Sequence, residues 1–227
     1  VFVVVPMSFT MWCFRTLKLK WRGAPIDIDP VSHAARVQEV VDQVKDWDAA
    51  GRKQKMRTAR PNWAAMSLKL GSNKLDSRQI RTHHLDRIIH LDEEAMTLRC
   101  EPAVKMGDIT SLLMPKGYAL LLQIEMEEIT IGGLSMGLGM ETNSHNVGWF
   151  QETIVEFEIV TAQSPPQVLR VTRESDPDLF YALPHSVGTL GFLGPDDLGL
   201  PDGCAAGGRW DAALAALLLL GESASPS

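Results

Sequence analysis

The chain has 227 residues, 45% of them hydrophobic and 22% charged, which is room for one large domain or two small ones and too apolar for global disorder. A formal net charge of −6 offers no clustered basic face, so no nucleic-acid partner is expected. Cys13, Cys100 and Cys204 share no metal or redox spacing, so neither a disulfide framework nor a metal site is indicated, and a reducing compartment follows.

The chain starts at Val1 rather than methionine, as a processed or incomplete chain would. Its opening run Val1–Phe14 carries no charge, and Arg15, Lys18, Lys20 and Arg22 follow it. Fourteen residues are too few to cross a bilayer, which takes about 20. The run reads as part of a membrane anchor over residues 1–22, its basic flank favouring the cytoplasmic side, or alternatively as a buried strand, since Val3–Val5 and Phe9 have β character. Residues 23–30, GAPIDIDP, read as a linker.

Beyond the linker, Ser32 is placed to cap a helix whose apolar stripe is Val37, Val40, Val41, Val44 and Trp47, with Gly51 ending it. Met66, Leu68 and Leu70 alternate as in a strand. Arg87–Leu91 and Met96–Cys100 flank a polar Asp92-Glu93-Glu94-Ala95 and predict a β-hairpin. Lys105–Gly117 predicts a short helix with Ile109, Leu112 and Leu113 apolar, broken at Pro115 and Gly117.

The densest signal is Ile129–Gly148, ITIGGLSMGLGMETNSHNVG, with Gly132, Gly133, Gly137, Gly139 and Gly148 among Ser144, His145 and other small polar residues. Glycine lets backbone approach a bulky partner, and successive N–H groups in such turns can bind anions. The pattern is neither a GxGxxG opening a helix after a strand nor GxxxxGK[ST], which excludes the Rossmann and P-loop mechanisms. Two readings remain from the residues: main chain wrapped on a flat phosphorylated ligand, or tight turns within a sheet.

Val155, Phe157 and Ile159 then alternate with Glu156 and Glu158 as a half-buried strand, paired with Val168–Thr172 across Gln163–Gln167. A helical turn is predicted over Asp176–Ala182, followed by a glycine turn at Gly188 and Gly191 and a short apolar strand. From Gly194 the composition turns Gly-, Ala- and Leu-rich with no continuing alternation, so residues 194–227 are expected to be poorly ordered, or alternatively to end in a loose helix over Ala212–Leu220. Short strands mixed with single helices predict an α+β domain.

The segments RVQEVVDQVKDW, TARPNW, VKMGDITSLLMPKG, EEITIGGLSMGLGMETNSHNVGWF and SDPDLFYALPHSVGTLGFL closely resemble the delta(24)-sterol reductases, also called seladin or Diminuto proteins. These are flavoproteins with a vanillyl-alcohol-oxidase-type (PCMH-type) FAD domain. The resemblance runs in order from about Val1 to Leu193, and VFVVVPMSFTMW resembles the membrane anchor of plant members. It implies an FAD domain of two α+β subdomains over residues 31–193, incomplete at the C-terminus, because Gly194–Ser227 matches nothing of the remaining FAD-domain strands or the substrate domain.

The resemblance further implies non-covalent FAD, since Ala64–Gly71 holds no histidine for attachment, and NADPH as reductant of a sterol C24 double bond. It implies an enzyme of sterol biosynthesis in the endoplasmic reticulum membrane, or alternatively a catalytically inactive FAD-binding fragment. The residues it carries over are Thr58, Arg60 and Pro61 in a first phosphate-side loop, and Lys105, Met106, Gly107, Asp108, Ile109, Leu112 and Gly117 in a flavin-binding stretch. In that stretch the helix start would offer free N–H groups to phosphate, with Asp108 as cap. Gly132, Gly133, Gly137, Gly139, Ser144, His145 and Gly148 form the second loop, and Gly188 and Gly191 the turn against the flavin. His83 and His84 read as surface residues, and no catalytic acid is identified.

Overall fold

The structure, a computed structural model, describes residues 30–59 and 76–200 together with Phe9, Thr10 and Cys13. The expected strand around Met66–Leu70 lies outside these residues, as do Arg60, Pro61 and all but three residues of the apolar start. Among the described residues no helix is long and apolar enough to cross a membrane.

The first helix, α1, spans Pro30–Ala49. Proline at its first position brings a φ already fit for a helix and lacks only an N–H that would have no intrahelical partner. Ser32 therefore lies within the first turn instead of capping it, and its hydroxyl accepts from Arg36 Nη1 at 2.5 Å. The valine stripe is buried as its spacing predicts: Val37, Val40, Val41 and Val44 pack with Ile80, Leu85, Val160 and Phe192. Gly51 closes the helix with φ +80°, the left-handed conformation for which glycine carries no Cβ penalty. Two short strands, β1 (Met56–Thr58) and β2 (Arg78–Ile80), pair in parallel beside it.

The main sheet has five strands in the order β3-β4-β7-β5-β6. Strands β3 (Ile88–Asp92) and β4 (Thr97–Cys100) form the predicted hairpin. Strands β5 (Ile154–Thr161) and β6 (Val168–Thr172) form the second one. Strand β7 (Gly191–Gly199) lies between β4 and β5, antiparallel to both.

Two sequence expectations are corrected here. β5 is not a half-buried strand: every residue from Phe157 to Thr161 is buried, because β5 lies between β6 and β7 and is covered on both faces. The pairing steps from Ile154–Leu198 to Glu156–Asp197, so Val155 is the extra residue of a bulge and turns outward. Strand structure also does not end at Leu193. Gly194, Pro195, Asp196 and Asp197 are poor strand formers, yet they run on through the sheet centre to Gly199. A second bulge sets Gly194 and Pro195 against Glu158 alone. The pairing with β4 ends at Asp196, so Pro195 interrupts no ladder on that side.

One face of the sheet carries the larger core. Leu98, Cys100, Phe157, Ile159 and Leu198 pack under helices α2 (Met106–Leu113), α3 (Ile131–Met136) and α5 (Pro177–Ala182) through Met106, Ile109, Leu113, Ile131, Leu134 and Phe180. Asp176 caps α5, its carboxylate accepting from Leu179 N at 3.0 Å. A sheet with helices packed on it by separate segments is an α+β arrangement, as expected.

Candidate functional site

The glycine stretch begins as helix α3 rather than as a loop. Gly132 and Gly133 lie inside it, and the reason for Gly132 is packing: a Cβ there would meet Pro102 Cβ at 2.6 Å. Farther on, a Cβ at Gly139 would meet Phe150 Cβ at 2.7 Å, and Gly148 has φ +80° beside the Glu152 side chain. Gly133, by contrast, is exposed. The short helix α4 (Ser144–Val147) follows. Ser144 Oγ accepts from Glu141 N, and His145 Nδ1–H donates to Thr142 O at 2.8 Å, so both side chains shape the loop itself.

The starts of α2 and α3 lie side by side. Lys105 and Thr130 form an isolated antiparallel bridge. Met106 N donates to Ile129 O and Gly107 N to Glu127 O, while Ile131 N donates to Val104 O and Gly132 N to Pro102 O. The expectation of free N–H groups at the start of α2 is therefore corrected, since those amides already serve backbone carbonyls. Lys105, not Asp108, occupies the N-cap position, and Asp108 falls in the first turn. Met106 and Ile109 are fully buried and Leu112 packs beside them. Gly117, with φ +82°, ends the turn after α2. This segment buttresses the glycine helix.

The glycine turn before β7 meets the second half of the stretch. The rings of Trp149 and His185 are 5.6 Å apart in an edge-on contact, and Ser186 Oγ donates to Met136 Sδ at 3.1 Å. His185, Val187 and Gly188 have φ of 62°, 53° and 75°. A β-branched residue with positive φ is strained, and such strain gathers at ligand clamps and switch segments. Leu138, Met140, Trp149, Val187 and Leu190 all expose apolar side chains on these two segments, Val187 being 82% exposed. Gly191, where the turn enters β7, could carry no Cβ, since Val160 O would lie 2.5 Å away. Phe192, at the start of β7, shares a buried cluster with Ile80 of β2, against which Met56 of β1 also packs.

The opposite face of the sheet is ionic, and sequence reasoning did not find it. Glu101, fully buried, accepts from Arg36 Nε at 2.8 Å and from Arg87 N at 2.8 Å, and its Oε1 lies 2.8 Å from His33 Nδ1. Arg99 reaches Asp197 at 2.9 Å, Glu156 at 3.1 Å and Glu158 at 3.3 Å. Burial alone would depress the His33 imidazolium, but hydrogen bonds and charge from Glu101 and Glu158 outweigh it and raise its pKa. For Glu158 burial opposes ionisation, yet His33, Arg170 and Arg99 hold its carboxyl below the ordinary range. These residues fasten α1 to the sheet. A pattern of charges spread over five separated segments leaves no local signal in a sequence.

Among known families, the one described as an FAD binding domain matches residues 28–165. The chain belongs to this FAD-binding domain family. Its curated relatives include the delta(24)-sterol reductase of Rattus norvegicus, 40% identical over 173 residues, covering 76% of this chain and 33% of the rat protein. The delta(24)-sterol reductase of Pisum sativum is 35% identical over 202 residues, covering 85% of this chain and 34% of that protein. The chain thus spans about a third of the length of the curated relatives it matches. Solved structures with this fold include 6-hydroxy-D-nicotine oxidase from Arthrobacter nicotinovorans, with a TM-score of 0.58, 18% identity and coverage of 72% of this chain and 34% of that one. A carbohydrate oxidase from Microdochium nivale gives a TM-score of 0.58 at 15% identity, covering 71% and 33% of the two chains.

The residues present fit the cofactor of an FAD-binding domain. Arg57 Nε, on β1 immediately before Thr58, is buried and has no hydrogen-bond partner among the described residues, the condition of a guanidinium that still has a donor for an anion. The exposed apolar side chains of residues 138–149 and 187–190 suit one face of a large flat ring system. Arg57 was missed from sequence, although a cation one residue before the first expected loop residue was a usable signal. His83 is exposed and His84 half-buried; they sit in a turn edge-on to each other, and His84 Nε2–H donates to Arg36 O.

Proposed function

We propose that this chain is the FAD-binding part of a delta(24)-sterol reductase, an FAD-dependent oxidoreductase that saturates the C24 side-chain double bond of a sterol with hydride from NADPH. The observation that carries the reading is the meeting of the glycine stretch and the strained glycine turn at Trp149–His185, with exposed apolar side chains on both. The names of the relatives, at 33–40% identity, support the substrate class. Bound FAD supplies hydride transfer. Arg57, Thr58, Arg60 and Pro61 would neutralise and position the pyrophosphate. Gly133, Gly137, Ser144 and His145 on the second loop, with Gly188 and Gly191 on the turn, would set the main chain against the cofactor. Leu138, Met140, Trp149, Val187 and Leu190 would exclude water from it. An isolated alkene offers no polar handle, so an apolar surface here also suits a sterol. The apolar opening run and its basic flank are read as membrane-associating, in keeping with a lipid substrate and the endoplasmic reticulum.

The test is flavin content. Purified chain is mixed with FAD, freed of excess, and its visible absorbance recorded, alone and with Gly133→Trp and Arg57→Ala. Stoichiometric flavin in the parent, lost in Gly133→Trp and weakened in Arg57→Ala while far-ultraviolet circular dichroism is unchanged, supports the reading. Flavin bound equally by all three overturns the site, and a folded chain that binds none overturns the function.

A further inference from the structure

Beneath the glycine helix lies a carboxyl group that the cofactor site does not explain. Asp196 is fully buried on β7, between Cys100 of β4 and Phe157 of β5. Its Oδ2 lies 2.6 Å from Ser135 Oγ on α3, and its Oδ1 has no partner. Ser135 Oγ is also 2.9 Å from Ile131 O, one turn earlier in the same helix. The serine has one proton for two neighbours, and the Ile131 carbonyl can only accept. If Asp196 were ionised, Ser135 would donate to it, the contact with Ile131 O would hold no proton, and a charge without solvent would have a single donor. If Asp196 keeps its proton, both contacts become hydrogen bonds: the carboxyl donates to Ser135 Oγ, and the hydroxyl donates to Ile131 O.

The surroundings agree. On its own face of the sheet Asp196 meets the Cys100 thiol and Ser135. The charges that act on it through the sheet are the carboxylates of Asp197 and Glu158 and one cation, Arg99, which already pairs with Asp197, Glu156 and Glu158. Burial foremost, against the Ser135 hydrogen bond and with Asp197 and Glu158 adding to it, pushes the carboxyl up to about 8.

We propose that Asp196 is held as the neutral acid and is a positioning residue, a proton-donating clamp that fixes α3 to β7, so that taking its proton away with base loosens the glycine helix from the sheet. The link to the cofactor rests on the FAD reading above, whereas the clamp itself does not. A neutral acid in the fold that ionises when the chain unfolds weakens the fold as pH rises, up to the point where both states are ionised.

The experiment follows unfolding of the full chain and of Asp196→Asn, which keeps a donor for Ser135 but cannot ionise, in urea from pH 5 to 9. The ratio of the two unfolding constants should change about tenfold per pH unit up to about pH 8 and then level off, and Asp196→Asn should be the more stable protein there. A pH-independent ratio would sink the clamp, because a packing role alone shifts both constants by a fixed factor. Infrared difference spectra of the parent between pH 6 and 10 read the same group directly, even if the variant does not fold. Loss of a protonated-carboxyl carbonyl stretch, absent from Asp196→Asn where that variant folds, is expected, and its absence from the parent overturns the proposal. Neither readout contains flavin, so a chain that never binds FAD refutes the function and leaves the clamp standing. With FAD present, Asp196→Asn should keep flavin at pH 9 where the parent releases it; parallel release by both would cut the clamp's link to the cofactor.

Discussion

Replacing Glu101 with alanine tests how α1 is held to the sheet. The carboxylate has no solvent exposure and receives Arg36 Nε, Arg87 N and the His33 imidazole, each at 2.8 Å. Removing one member of a buried ion pair costs about 3–5 kcal/mol, because the remaining charge stays buried. Glu158, 3.5 Å from His33 Nε2, relieves part of the loss for the imidazole, so about 3–4 kcal/mol is expected. For a domain of this size that lowers Tm by roughly 6–16 °C, measured by circular dichroism and by urea midpoint with unchanged m-value. Glu101→Gln should fall between, since its oxygen still accepts from Arg36 while its NH2 is set against the Arg87 N–H. A loss under about 1 kcal/mol for Glu101→Ala would refute the claim that this carboxylate anchors the helix.

Three further outcomes are expected. Gly132→Val, driven into Pro102 Cβ and Pro102 O, should destabilise by about 1–3 kcal/mol in urea and reduce flavin retention with it. For His33, whose pKa is raised by Glu101 and Glu158 against burial, the sign is that of a group stabilised when protonated. Its contribution is complete below about pH 6.5 and is lost as pH rises through the higher folded value, so the stability advantage of the parent over His33→Gln should shrink across that range in urea titrations. Asp176→Ala removes the carboxylate that accepts from Leu179 N and should cost about 1 kcal/mol, read as a small fall in Tm.

Elements governed by local periodicity were legible. The valine stripe of α1, the Asp92–Ala95 hairpin and the β5–β6 hairpin each follow from spacing within about twenty residues. What was illegible depends on partners distant in sequence. Nothing near Gly194–Gly199 announces a strand, because the pairing with Thr97–Cys100 and Ile154–Thr161, and the bulge at Gly194 and Pro195, override four poor strand formers. Ser32 failed as a cap because Pro30 starts the helix two residues earlier. The ionic face joining His33, Arg99, Glu101, Glu158 and Asp197 exists only once α1 and three strands are assembled.

The glycine-rich stretch shows how one sequence signal can have two physical sources. Glycine density was legible as close approach, but the composition does not say what approaches. At Gly132 and Gly139 the neighbour is this protein's own Pro102 and Phe150. Gly133 has no such neighbour to answer to and faces solvent, where the proposed site would bring the cofactor. The two demands share one helix turn, and they are linked: the face that closes on Pro102 and, through Ser135, on Asp196 fixes the orientation in which Gly133 is shown to solvent. The α2 start serves the same end, since its amides support Ile129 and Glu127 instead of a phosphate. If the proposed site binds FAD, its affinity should therefore respond to buried residues that never touch the ligand as well as to the exposed main chain. Substitutions at Gly132 and Gly133 should accordingly differ in kind, the first weakening the fold and the second the flavin alone.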